Sequence, residues 1–261
     1  EELTKIGDIC LKHNVLVVSD EIHNDLIMPE HEHVVFASIC GEFAENSITC
    51  TAPSKTFNIA GLQTSNIFIP DEKLREKYLS ALKLSNPNPK CNILGYCAAL
   101  AAYKNCEGWL DTALEVIDTN RKLIAEFLTR EIPEIKAYNL EGTYLMWLDF
   151  NALGLDYKEL ERINHTEAKL FFDEGYIFGS QGEGFERWNL ACPTKYILAA
   201  LERFLSDLSP EKRSMFVRRY YYCCTFAEIA ADMHTTEGRV KMTLMRSREK
   251  LRAFLEKEGL L

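Results

Sequence analysis

The sequence predicts an α/β protein with a mostly parallel sheet, followed by an α+β layer and a small all-α tail. Three observations lead there. Val15-Leu16-Val17-Val18 is a continuous β-branched and aliphatic run, the pattern of a strand buried on both faces of a parallel sheet. Strand-like and amphipathic helical stretches then follow one another up to Leu205. From Leu208 onward the charge reverses. There, 11 Lys+Arg stand against 7 Asp+Glu, while the preceding part holds 19 against 32, in a chain of 261 residues with net charge −9. The acidic part suits a small solute and the basic tail something anionic.

In order, Glu1 to His13 carries Leu3, Ile6, Ile9 or Cys10, and Leu11 at helical spacing and predicts an amphipathic helix. The Val15–Val18 strand leads to Asp20, at the carboxyl end where parallel sheets bind ligands. His31 and His33 lie in the charged stretch P-E-H-E-H, which reads as a solvated loop, because His-x-His with no further ligand in register is not a zinc signature. Val34 to Ile39, Ile48 to Thr51 and Thr64 to Ile69 read as strands. The second ends at Pro53, and Lys55 follows between Ser54 and Thr56. A lysine on a small-residue turn past a strand end is held with its amine in a cleft, where partial desolvation favours the neutral, nucleophilic form. A carboxylate there, with such a lysine at the end of another strand, is the pair that pyridoxal phosphate (PLP) chemistry requires.

Asp71 reads as the cap of a helix to Leu84, and Ser85-Asn86-Pro87-Asn88-Pro89 as a turn-rich break. Asn92 to Tyr103 and Gly108 to Arg130 read as helices, the second long enough to bridge two domains. Glu134 to Tyr138 and Thr143 to Phe150 read as strands of a hairpin around Glu141-Gly142, and Lys158 to Glu174 as a covering helix. Gly179 to Gly184 precedes the strand-like Phe185 to Leu190 rather than a helix, so it reads as a mobile loop beside Arg187 and not as a phosphate cradle. Thr194 to Leu205 reads as a closing helix.

In the tail, Ser209-Pro210-Glu211 starts a helix, and Thr225-Phe226-Ala227-Glu228 is a capping box. Met233 to Thr236 reads as a turn, and Glu237 to Leu255 as a basic helix with Val240, Leu244, Leu251 and Leu255 inward. This is a helix-turn-helix layout. Cys223-Cys224 with His234 lacks metal-ligand spacing and reads as buried thiols. Nine scattered cysteines argue for reduced thiols in a cytoplasm. No apolar run reaches the roughly 18 residues of a membrane span, and the Glu-Glu opening carries no visible leader.

The motifs D-E-I-H at Asp20, T-A-P-S-K-T-F-N-I-A-G-L-Q around Lys55 and R-W-N-L-A-C-P at Arg187 resemble fold-type I PLP-dependent enzymes of aminotransferase class I/II, and within them the MalY/PatB-like cystathionine β-lyase subgroup. The likeness covers Glu1 to Asp207. It implies an incomplete PLP-transferase fold, since relatives carry a preceding segment with a phosphate loop and a ring that stacks on the cofactor. The domains expected are 1–107 (partial PLP-binding large domain), 108–207 (bridging helix and small domain) and 208–261 (tail). By the resemblance, Lys55 binds the cofactor as an imine and acts as the general base, and Asp20 pairs with the ring nitrogen. His23 lies near the phenolic oxygen, Ser54 contacts the phosphate, and Arg187 clamps the substrate α-carboxylate.

The implied reaction is β-elimination of a thiolate from a small sulfur-containing amino acid, with transamination as the alternative, in a homodimer. The chain alone is expected to bind PLP poorly unless a companion chain supplies the rest. The tail, Ser209 to Glu258, resembles region 4 of sigma-70-type RNA polymerase factors and related YlxM-like modules, although Cys223-Cys224 stands where sigma relatives carry a Gly-containing turn. That likeness implies DNA or RNA polymerase as partner, with Thr236, Arg239, Lys241 and Thr243 toward bases or phosphates and Arg246 and Arg248 on the backbone.

Overall fold

Helix α1 (Glu2–Lys12) stops where Asn14 takes a left-handed φ of 53°, a conformation asparagine tolerates, and the chain turns directly into strand β1 (Val17–Asp20). The computed structural model describes residues 1–86, 91–201 and 225–245. They fall into two units, Glu1–Leu114 with Glu141–Thr143, and Glu115–Leu140 with Tyr144–Leu261.

In the first unit, β1 pairs in parallel with β2 (Ser47–Thr51), from Val17 opposite Ser47 to Asp20 opposite Cys50. Strand β3 (Asn66–Phe68) closes the other side of β2 in antiparallel register, giving the order β1-β2-β3. Between β1 and β2, helix α2 (Gly41–Glu45) carries Phe43, whose ring lies under Gly7 of α1. A Cβ on Gly7 would sit within 2.3 Å of that ring, so only glycine permits this approach. After β2 comes the single turn α3 (Pro53–Thr56), with Pro53 at its first position, where the missing N–H costs nothing. Helix α4 (Glu72–Ser85) is capped by Asp71, which accepts the Leu74 N–H at 2.6 Å. Helices α5 (Ile93–Asn105), capped by Asn92, and α6 (Glu107–Glu131) follow. Pro87 to Pro89 of the expected break lie outside the described residues.

Two expectations about strands fail in this unit. Val15 to Val18 is not buried on both faces: Val15 is 50% and Val18 62% exposed. Among the described residues β1 pairs with β2 on one side only, so β-branching set the strand without setting its burial. Val34 to Ile39 is no strand either. Glu21 takes the Phe36 N–H, and the Ser38 N–H and Oγ both donate to the Val35 carbonyl, which closes a 3-10 turn at Phe36–Ser38. Phe36 then stacks on Phe43 with centroids 5.1 Å apart.

The second unit holds a four-stranded sheet in the order β4-β5-β7-β6: β4 (Lys136–Ala137), β5 (Leu145–Asp149), β6 (Asp173–Glu174) and β7 (Phe185–Asn189), all pairs antiparallel. Its buried face presents Met146, Leu148 and Trp188, and Ile124 and Leu128 of α6 are also buried. Each fully buried side chain of this size contributes about 1.5–3 kcal/mol. The Asn120 amide donates to the carbonyls of Leu190 and Cys192 at 3.0 and 2.9 Å, which fixes the exit from β7 to α6.

The expected helix Lys158–Glu174 breaks early. Helix α7 (Tyr157–Arg162) passes into a π-helical turn, Ile163–Ala168, and Lys169 takes φ 52°. The backbone of Asp173 and Glu174 then pairs with Arg187 and Glu186, so strand pairing overrides helical periodicity there. Gly179 to Gly184, read as a mobile loop, contains a 3-10 turn at Ser180–Gly182. Helix α8 (Thr194–Leu201) closes this part, and its expected continuation lies outside the described residues.

In the tail, α9 (Phe226–Asp232) begins with the expected capping box: Thr225 accepts the Glu228 N–H, and Glu228 accepts the Thr225 N–H at 2.6 Å. A turn with His234 at φ 49° leads to the helical stretch 237–245, where Val240 and Leu244 are buried, as is Ile229 of α9. Ser209-Pro210-Glu211, Cys223, Cys224, Leu251 and Leu255 lie outside the described residues. Every cysteine among the described residues is a free thiol. No helix among them is long and apolar enough to cross a membrane.

Candidate functional site

Parallel pairing puts the ends of β1 and β2 side by side, and four of the singled-out residues sit just there. Asp20 closes β1 opposite Cys50 and is exposed, with Oδ1 accepting the Ile22 N–H at 3.3 Å. Burial, and then the charge of Asp20 across the strand pair, push the Cys50 thiol above its ordinary value. His23, half-buried, lies in the turn after β1. Ser54, half-buried, and Lys55, exposed, lie on α3 after β2. Lys55 is therefore more open than the cleft position expected of it, because nothing among the described residues covers α3 on that side.

The two turns are joined. Thr56 Oγ1, on a residue only 2% exposed, donates to Asp25 Oδ2 at 2.8 Å, locking the lysine turn to the loop that begins at Asp20. Tyr103 of α5 lies against the same loop. Burial, followed by the Asp25 charge, raises its hydroxyl pKa, and its ring meets Phe57 edge-on at 5.3 Å. Glu21, 6% exposed, accepts from Ser19 Oγ, the Phe36 N–H and His33 Nε2. His33 is thus part of the support of the β1 end, where a solvated loop was expected. A hollow of about 620 Å³ elsewhere in this unit is lined by Glu1, Thr4, Ile27, His33 and Glu141 among others, and by none of the four cofactor candidates.

In the second unit, Arg187 lies on β7 with its guanidinium already held. Its Nε and Nη2 donate to Asp173 Oδ2 at 3.1 and 2.9 Å, and it lies over the Phe178 ring at 4.5 Å. Its sequence neighbour Glu186, which alternation places on the opposite face, is 2% exposed. Burial first, and then Glu174, push the Glu186 carboxyl up to about 8.

Of the tail candidates, Thr236, Arg239 and Lys241 are exposed and Thr243 is half-buried. Thr236 Oγ1 accepts the Arg239 N–H at 3.3 Å, so it caps the helix, and Lys241 lies 5.0 Å over the Phe226 ring and 3.5 Å from Glu237. Arg246 and Arg248 lie outside the described residues.

Sequence reasoning missed Asp25, Thr56, Tyr103 and Asp173. Asp25 stands in the loop that D-E-I-H opens and Thr56 inside the Lys55 motif, but their pairing across 31 positions has no local signal.

A family model for aminotransferases of class I and II matches residues 1–204. The chain belongs to the aminotransferase class I and II family. A model for sigma-70, region 4, matches residues 198–251. Cystathionine beta-lyase PatB of Bacillus subtilis is 42% identical over 209 residues, which are 80% of this chain and 54% of that protein. Protein MalY of Escherichia coli is 34% identical over 74% of this chain and 49% of its own length. Among solved structures, cystalysin from Treponema denticola, which contains a pyridoxal 5'-phosphate cofactor, superposes with a TM-score of 0.74 at 50% identity, over 77% of this chain and 51% of that one. The chain thus spans about half the length of the curated class I and II relatives it matches.

Proposed function

We propose that residues 1–204 carry the lysine-bearing part of a PLP-dependent carbon–sulfur β-lyase acting on a small sulfur-containing amino acid of the cystathionine type. The observation that carries this reading is the placing of Asp20 and the Lys55 turn at the carboxyl ends of two adjacent parallel strands, bridged by Thr56 and Asp25.

The donor set fits the cofactor. Lys55 offers an amine to its aldehyde carbon, Asp20 a carboxylate to its ring nitrogen, Ser54 a hydroxyl to its phosphate and His23 an imidazole to its phenolic oxygen. When bound, PLP withdraws electrons from the substrate α-carbon. Asp20 would hold a proton on the ring nitrogen, because a carboxylate beside a basic nitrogen favours its cationic form. Lys55, with its amine free, would take the α-proton as general base, and the sulfur would leave the β-carbon as thiolate. Arg187 binds the substrate α-carboxylate by exchanging Asp173 for it, a like-for-like replacement of one carboxylate by another.

The exposed outer strand β1 and the exposed apolar residues Ile93 and Leu94 of α5, 69% and 67% accessible, support a homodimer or another covering chain around this site. Free thiols suit a reducing cytoplasm. The name of PatB, a cystathionine beta-lyase, favours elimination over transamination, which would use the same residues and return the proton elsewhere. Product analysis separates them: keto acid, ammonia and thiol against an exchanged amino group.

A second reading rests on the match of residues 198–251 and the capped two-helix arrangement with Arg239 and Lys241 exposed. It makes the tail a DNA-contacting module. A gel-shift of the full chain with its salt slope tests it, and no retardation at low salt refutes it.

A further inference from the structure

In the second unit, three side chains that the proposed lyase chemistry does not use converge beside the β6–β7 pair, and a fourth, Glu186, lies opposite one of them on β7. Glu161 and His165 stand four residues apart, on α7 and the π-helical turn that extends it. Glu174 comes from β6. His165 Nε2 lies 2.8 Å from Glu174 Oε1 and its Nδ1 3.9 Å from Glu161 Oε1. One ligand atom from each of these three residues falls within 4.8 Å of the others. Phe171 stacks on the imidazole at 4.5 Å, and Tyr176 donates to the second Glu161 oxygen at 3.2 Å, so the ring and the carboxylate are both oriented from outside.

A separate observation lies beside this cluster. Glu186 is 2% exposed, and its Oε1 accepts from the Asn164 amide at 3.1 Å, while its Oε2 has no hydrogen-bond partner among the described residues. Its Cα partner across the strands is Glu174 itself, so the two carboxylates leave the same face of the sheet, and the charges bearing on Glu186 are Glu174 and Glu161. A buried carboxyl oxygen left without a partner is costly. A cation bound beside it would supply one.

We propose that Glu161, His165 and Glu174, with the buried Glu186 carboxyl beside them, form a binding site for a divalent first-row transition cation of the Mn²⁺ or Zn²⁺ type. One imidazole nitrogen with carboxylate oxygens is the donor chemistry such ions take. The ion takes the place of the direct contact between His165 Nε2 and Glu174 Oε1, and any proton on the coordinating atoms leaves to solvent. It joins α7 to β6 and β7 on one face. The adjacent positions Asp173 and Arg187 project from the other, so the ion fixes the register on which the arginine's placement depends.

The test is a titration of the full chain, freed of metals by EDTA and exchanged into buffer, with Mn²⁺ followed by electron paramagnetic resonance. Mn²⁺ avoids the nine thiols, which Zn²⁺ would not. The site predicts saturation at one ion per chain below about 1 mM. It also predicts a nitrogen modulation from histidine in the spin echo of the bound ion, and a loss of affinity greater than about tenfold in His165→Gln and in Glu186→Gln. The nitrogen modulation is read on the unmodified chain, so the result does not depend on a variant folding. Absence of saturable binding, a bound ion without nitrogen coupling, or undiminished affinity in folded His165→Gln would overturn the proposal.

Discussion

Thr56 and Asp25, 31 residues apart in sequence, are joined by a 2.8 Å hydrogen bond that ties the turn bearing Lys55 to the loop after Asp20. Strand pairing sets where the two turns begin, and this bond sets how the lysine turn faces the aspartate. Thr56→Val keeps the shape and removes the donor, so it is expected to cost about 1.5–3 kcal/mol, the range for a hydrogen bond to a charged group. Urea unfolding followed by circular dichroism measures it. A loss within ±0.5 kcal/mol, the scatter of ordinary surface substitutions, would mean that the two turns hold their places independently.

The Arg187–Asp173 pair predicts opposite effects from its two partners. Asp173→Asn removes the resident competitor and is expected to lower KM for an α-amino acid substrate severalfold in an active assembly. Arg187→Lys loses the planar fork and is expected to raise KM by about tenfold or more. Keto-acid release against substrate concentration reads both. Equal KM values in Asp173→Asn and wild type would remove the exchange step.

Acid stability is expected to depend on Asp118. Its burial raises the carboxyl pKa, but hydrogen bonds from Lys122 and Arg121 outweigh that and leave it below its ordinary 3.8. A depressed folded value means that the contribution is present above the unfolded value and is lost as pH falls through the folded one. Asp118→Asn leaves the guanidinium of Arg121, 6% exposed, without its ion pair, and is expected to cost about 3 kcal/mol at neutral pH. The gap to wild type should narrow only below pH 3.8. A gap that is constant down to pH 2.5 on thermal unfolding would argue against the ion pair as its source.

For the tail, an exposed arginine on phosphate is expected to act evenly across sequences. Arg239→Ala should reduce the slope of log K against log salt by about 0.9 in gel-shifts of the full chain. An unchanged slope would take Arg239 off the DNA.

Much of this was legible from residue type and order. The capping residues Asp71 and Thr225, the long helix α6 and the strands on either side of Glu141-Gly142 follow from local chemistry that the fold leaves intact. What escaped was decided by non-local partners. Val34 to Ile39 has strand composition, but Glu21, 15 residues away from Phe36, takes the N–H a ladder would need. Lys158 to Glu174 has helical periodicity, but β7 claims its last two residues. Glu161 and His165 carry an i, i+4 spacing readable in the sequence, whereas Glu174 joins them, and Glu186 comes opposite Glu174, only through the fold.

Borohydride trapping tests the pairing of Asp20 with Lys55 most directly. The full chain is incubated with excess PLP, reduced, digested and mapped by mass spectrometry. Because reduction is irreversible, it captures even weak occupancy. The cofactor label is expected on Lys55 in preference to the other lysines, and that preference is expected to weaken in Asp20→Asn. Label spread over surface lysines with no preference for Lys55, or a preference indifferent to Asp20→Asn, would contradict a shared cofactor site at the ends of β1 and β2.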